Sequence, residues 1–331
     1  MMKRRQFISL AAAAPVLLAA PWVARAQAKR KVTYAYLLDP VYDSVVWAIN
    51  NGKIKSDLID VEATGANIPT LLQATATKRF DVVMTAVIGV PAAAARGLDL
   101  RIMSAALYQS AEGQGGGVWV KKDSALKSPE QLKGKTLASY GLRSTGYMYV
   151  REALRKEFGL NMVLEGGDVK QVEVVAPNLP AALATGQVDA AALIHSQAYR
   201  AMQSGDFVNI CETAAIMNKH YGRTVSAVNV AYPERLAENP AAFREFNRML
   251  KASVEYALNN RDEVFGDLAK KANIQRGYFD WWFDKTTTVP GTFSSDHAAA
   301  VVKGWEMAKN FGMIKSAPDV AKHTWEHVIR S

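Results

Sequence analysis

Cysteine is almost missing from this chain: Cys211 is the only one in 331 residues. No internal disulfide can form, and no cysteine-based metal cluster can be built. A chain of this length can do without such staples, because it buries a sufficient core. Histidine is sparse too, at five residues. His220, His297, His323 and His327 show no ligand-like grouping. His323 and His327 are spaced i, i+4 on an expected terminal helix, but with no third ligand they read as surface residues. No two residues pair as nucleophile and base, so neither an enzyme nor a metal site is expected. A basic block and an Arg/aromatic stripe are also lacking, although the formal charge is +9. Positive charge so dispersed gives nucleic-acid binding little support. It suits solubility and the attraction of anions.

What is present begins at the N-terminus. Lys3-Arg4-Arg5-Gln6-Phe7-Ile8 precedes an alanine-rich apolar run to about Val23, and Ala24-Arg25-Ala26-Gln27-Ala28 offers two overlapping A-x-A sites. This is the layout of a cleaved export signal at 1–28, with the arginine pair and Phe7 indicating the twin-arginine route. Pro15, Pro21 and the A-x-A sites favour cleavage over a retained membrane anchor. No cysteine near the cleavage site invites a lipid. The leader carries Lys3, Arg4, Arg5 and Arg25, and losing those four charges lowers +9 to +5. The expected location is the periplasm, and roughly 300 mature residues suggest two domains.

Beyond the leader, strand and helix patterns alternate. Apolar strands are expected at Val32–Leu38, Ile59–Ala63, Phe80–Thr85 and Leu100–Ala105, then at Val118–Lys121, Thr136–Ser139, Val172–Val175 and Ala190–Ile194. Asp39-Pro40 reads as a helix cap and first helical residue. Ser128-Pro129-Glu130-Gln131 reads as a capping box. After Val225–Val230 helices dominate: Pro240–Asn260, Asp262–Ala272, Tyr278–Lys285, Asp296–Phe311 and Val320–Ile329. The crowded Phe279, Trp281, Trp282 and Phe283 read as core packing rather than as a ligand stack. The pattern predicts an α/β fold with two parallel-type sheets in two lobes. If Val118–Lys121 leads out of one sheet and Val225–Val230 leads back, two strands form a hinge beside a cleft. The lobes are then 29–120 with 222–331, which adds a helical C-terminal extension to the first lobe, and 121–221.

The turn Tyr140-Gly141-Leu142-Arg143-Ser144-Thr145-Gly146 is the richest local signal. It leaves a strand and opens a helix that Gly159 ends. Helix starts offer unpaired N–H groups and partial positive charge, and a guanidinium with two hydroxyls there makes a cradle for an anion. Arg143 is the leading candidate to pair with a carboxylate or sulfonate. Ser144 and Thr145 can divide capping and ligand contact between them. Tyr140 is placed either to stack on a ring or to pack under the loop. In the first lobe Tyr42 and Thr85 stand at strand ends that open on the cleft. His195, followed by Ser196 and Gln197, ends a strand of the second lobe. Asn229, near the end of the returning strand, completes the set.

Three stretches carry a family likeness. Phe80–Leu100 has Met84-Thr85-Ala86, Gly89, Pro91 and Gly97-Leu98-Asp99; Ser128–Ser139 has Leu132-Lys133-Gly134-Lys135; Leu183–Ala192 has Gly186-Gln187-Val188-Asp189-Ala190. In this order and spacing the chain resembles the substrate-binding proteins of bacterial ABC importers of the sulfonate/nitrate/taurine type. That superfamily also contains the thiamine-pyrimidine synthases of yeast. The resemblance implies a two-lobed periplasmic-binding-protein fold, no cofactor, and a monomer that closes on a small anionic solute and hands it to an ABC permease of the inner membrane. Two other roles stay open: a thiamine-precursor binder or pyrimidine synthase, and a receptor for a membrane sensor. The synthases share a cysteine-rich motif that one cysteine cannot supply.

Overall fold

The computed structural model describes residues 29–331. The export signal expected at 1–28 lies outside the described residues.

The strands run in chain order as β1 (Arg30–Leu37), β2 (Ile59–Ala66), β3 (Val82–Ala86), β4 (Arg101–Gln109), β5 (Gly117–Lys121), β6 (Thr136–Ser139), β7 (Lys170–Glu173), β8 (Ala190–Leu193), β9 (Phe207–Glu212), β10 (Val225–Ala231) and β11 (Thr287–Thr288). One sheet has the order β11-β4-β10-β3-β1-β2, and the other β7-β6-β8-β5-β9. Both are mixed sheets rather than parallel ones. β1 pairs parallel with β2 and β3, and β6 with β7 and β8. β10 runs antiparallel to β3 and β4, and β5 runs antiparallel to β8 and β9. The reason is connectivity. β5 and β10 are the strands by which the chain arrives from the other sheet, so no crossover helix on their own sheet turns them parallel. The crossings themselves are short: one at 110–116, the other after the helix Thr213–Tyr221.

Caps and stops explain the helices that position the site. Asp39 accepts from Val41 N at 3.2 Å and starts the helix Pro40–Asn50 with proline in its first turn. Ser144 accepts from Tyr147 N at 3.2 Å and starts Thr145–Phe158, which Gly159 ends in the left-handed region. The second lobe packs hard on the first, since Met148, Tyr149, Ala153 and Tyr199 belong to the first lobe's apolar core.

The C-terminal layer departs from expectation in two places. The segment Tyr278–Lys285 is not one α-helix: Gly277–Trp281 is α, and Trp282–Thr286 widens into a π turn. Phe279 and Trp282 are fully buried, Phe283 nearly so, and Trp281 packs against the same core, as core packing requires. The helix expected at Val320–Ile329 is a single 3-10 turn, Val320–His323. Trp325 N instead donates to Ile102 O at 3.0 Å, and Thr324 bridges Ile102, so pairing along β4 wins over local helix propensity. His323 and His327 therefore do not share a helix face. His323 lies edge-on to Trp305, with ring centroids 6.1 Å apart. Among the described residues no helix is long and apolar enough to cross a membrane.

Candidate solute-binding cleft

Two abutting cavities lie between the lobes, of about 130 Å³ and about 100 Å³. Tyr140, Gly146, Ile194, His195 and Ser226 belong to both walls. The smaller cavity has one apolar side, built by Leu37, Ile68, Leu71, Leu72, Met84 and Leu107, and one side built by Ser144, Thr145 and Gly146. The larger continues toward Gln109, Gly115, Thr213 and Thr286. Among the described residues no Asp, Glu, Lys or Arg lines either cavity.

The helix Thr145–Phe158 meets the cleft with its first turn. Its Tyr147 N–H is capped by Ser144 Oγ and Met148 N donates to Ser144 O, which leaves the N–H groups of Thr145 and Gly146 without intrahelical partners. The partial positive charge of a fourteen-residue helix therefore faces the cavity wall. A Cβ at Gly146 would fall on the Tyr140 hydroxyl, so the glycine lets that phenol lie against the helix start. Burial raises the Tyr140 phenol to about 12, so it stays protonated. Thr145 Oγ1 accepts from Ile88 N across the cleft at 3.4 Å. Thr85, opposite, is buried at the end of β3 and lines the smaller cavity.

His195 is the centre of the interlobe contact. It heads the helix His195–Ser204 with φ +51°, a conformation that non-glycine residues rarely hold. Trp282 Nε1 lies 2.9 Å from its Nδ1, and the Tyr42 hydroxyl 3.1 Å from its Nε2. Burial lowers the His195 pKa. One step on, Ser196 Oγ donates to Asp39 Oδ2 at 2.6 Å, and Tyr278 Oη donates to Asp39 Oδ1 at 2.5 Å. Asp39 is thus a helix cap that also holds the second lobe.

The structure brings Thr85, Tyr140, Ser144, Thr145 and His195 together around the cavities. Tyr42 lies behind His195 and lines neither cavity. Arg143 and Asn229 stand outside both cavities. Arg143 is exposed on the turn and lines neither cavity, because the helix begins beyond it and turns Ser144 to Gly146 inward. Asn229 is buried inside the first sheet, where Oδ1 accepts from Tyr34 Oη at 2.9 Å and Nδ2 donates to Ser104 Oγ at 3.0 Å. Its role is to knit three strands. Sequence reasoning missed Gln109, Thr213, Ser226 and Thr286, which come from four separate segments. The run Gly115–Gly117 is the one local sign of a close approach there.

Two sheets with a cleft between them, crossed twice by the chain, define a two-lobed periplasmic-binding-protein fold. The NMT1/THI5-like family profile matches residues 48–264, and the chain belongs to that family. Among solved structures it is similar to the periplasmic aliphatic sulphonate-binding protein SsuA of Escherichia coli, at 16% identity and TM-score 0.71, covering 90% of this chain and 98% of that one. The alkanesulfonate-binding protein SsuA of Xanthomonas axonopodis pv. citri, bound to MOPS, is similar at 18% identity and TM-score 0.69, covering 91% and 99%. A protein of Archaeoglobus fulgidus is similar at 21% identity and TM-score 0.69, covering 86% and 98%. No curated protein sequence matches the chain.

Proposed function

We propose that this protein is a periplasmic solute receptor that binds a small organic anion between its lobes and delivers it to an ABC importer. The observation that carries the reading is the start of the helix Thr145–Phe158. Two unpaired N–H groups and the hydroxyls of Ser144 and Thr145 stand across the cavity from a side built of aliphatic side chains. A sulfonate or carboxylate head fits such donors, which supply partial positive charge without a cationic side chain. The wall of Leu71, Leu72, Met84 and Leu107 takes an aliphatic or aromatic body. Similarity to sulfonate-binding proteins supports the sulfonate in particular. No step of chemistry is assigned: His195 is tied to Tyr42 and Trp282 rather than to a nucleophile.

Calorimetry of the purified protein with hexanesulfonate, hexanoate and neutral hexanol tests the reading. The anions are expected to bind at least about tenfold tighter than the alcohol. Equal affinity for the alcohol would refute an anion site.

A further inference from the structure

The far end of the larger cavity contains polar atoms that the fold leaves unused. Gln109 Nε2, Thr213 Oγ1 and Thr286 Oγ1 are buried without a hydrogen-bond partner among the described residues. All three residues line this cavity. Thr213 and Thr286 are only 6% and 7% exposed. A buried polar group without a partner is costly and uncommon, so three in one wall point to a group that meets them there.

Their placement is built. Gln109 ends β4, Thr213 is the first residue of its helix, and Thr286 is the last of the π turn. Gln109 Oε1 accepts from Thr224 Oγ1 at 2.7 Å, which fixes the amide and leaves its NH₂ free. Gly115 holds φ +106°, and a Cβ there would collide with the Thr286 side chain. The glycine therefore lets the threonine stand at the cavity edge.

The wall also states a charge class. The nearby cations are already committed: Arg223 Nε donates to Gln109 O at 2.5 Å with its guanidinium 3.8 Å from the Tyr108 ring centre, and Lys285 pairs with Glu112 at 2.9 Å. A wall of two hydroxyls and an amide NH₂ both donates and accepts without carrying charge. We propose that Gln109, Thr213 and Thr286 form a second subsite, which takes an uncharged carboxamide, carbonyl or hydroxyl at the far end of the solute. The inference rests on the anion reading above, with the charged end at Thr145 and Gly146. The shared walls of the two cavities let one elongated molecule reach both.

Calorimetry with hexanoate, its ω-hydroxy homologue, the monoamide of adipic acid and neutral adipamide tests this in the wild type and in the double variant Thr213→Val, Thr286→Val. Valine keeps the shape of threonine, so the fold is expected to persist; should it fail, Gln109→Met supplies the same comparison. The monoamide and the hydroxy acid are expected to bind the wild type at least about tenfold tighter than hexanoate. The double variant should lose that preference. Equal binding of hexanoate and the monoamide by the wild type overturns the subsite and leaves the anion reading standing. A preference that survives in the double variant also overturns it. Adipamide bound tighter than the monoamide overturns the anion reading and leaves the subsite. No binding of any of the four overturns both.

Discussion

Trp282 donates its indole N–H to His195 Nδ1 at 2.9 Å. An indole nitrogen can only donate, so Nδ1 must accept and the ring proton sits on Nε2. Nε2–H then donates to the Tyr42 hydroxyl oxygen, 3.1 Å away. One tautomer of a neutral ring thereby joins the second lobe to two elements of the first. An imidazolium would point an N–H at the Trp282 N–H.

This sets a pH dependence. Burial holds the folded His195 pKa below its ordinary value near 6.5. Below about pH 6.5 the unfolded chain takes up a proton that the folded chain refuses. The stability supplied by the neutral ring is therefore fully present above that pH and declines as pH falls. Asparagine tolerates the left-handed backbone at this position and does not titrate. From about pH 7.5 to about pH 5 the wild-type Tm should drop further than that of His195→Asn. Parallel drops would mean that His195 does not titrate across this range.

Arg143 and Ser144 are neighbours with opposite forecasts. Arg143→Ala alters an exposed side chain and should change anion affinity by less than about 0.5 kcal/mol. Ser144→Ala removes the cap on Tyr147 N and should cost about 1 kcal/mol of stability together with affinity. Calorimetry and denaturant unfolding of both variants check this. A tenfold loss of binding for Arg143→Ala alone would return the guanidinium to the site.

Asp39 accepts from Val41 N, Ser196 Oγ and Tyr278 Oη at once. Asp39→Ala should destabilise the protein by about 2–4 kcal/mol, combining a lost cap with lost charge-assisted bonds. Asp39→Asn keeps the cap and should fall between. Urea unfolding gives the order; an alanine variant as stable as the wild type would reduce Asp39 to a bystander.

Gly115→Ala places a side chain at φ +106° and against Thr286. A loss of about 2 kcal/mol or more is expected. A wild-type melting temperature in this variant would show that the link has room to spare.

The lobes were legible because strand and helix periodicities differ and because Asp39, Ser144 and Gly159 punctuate their helices. The mixed sheets were not: strand direction depends on where the chain enters a sheet, which no local pattern records. The turn at 140–146 was legible as a helix start facing the cleft. The placement of its arginine was not legible, since charge and position favoured Arg143 while the bend of the chain sends it outward. Thr213 and Thr286 carry no signal of their own. They reach one cavity wall only through a crossing between lobes and a π turn, which carries the helical segment past the expected end at Lys285 to Thr286.

The antiparallel β10 sets an order on folding. It lies between β3 and β4 in the first sheet, and its Asn229 bonds to Tyr34, 195 residues earlier in the chain. The second sheet is drawn from one unbroken stretch, β5 to β9, and closes smaller loops. During refolding, amide protection should reach Ala190–Leu193 before Val228–Val230. The lobe that begins first is finished last, and until β10 docks, β3 and β4 are open edges exposed to any other strand.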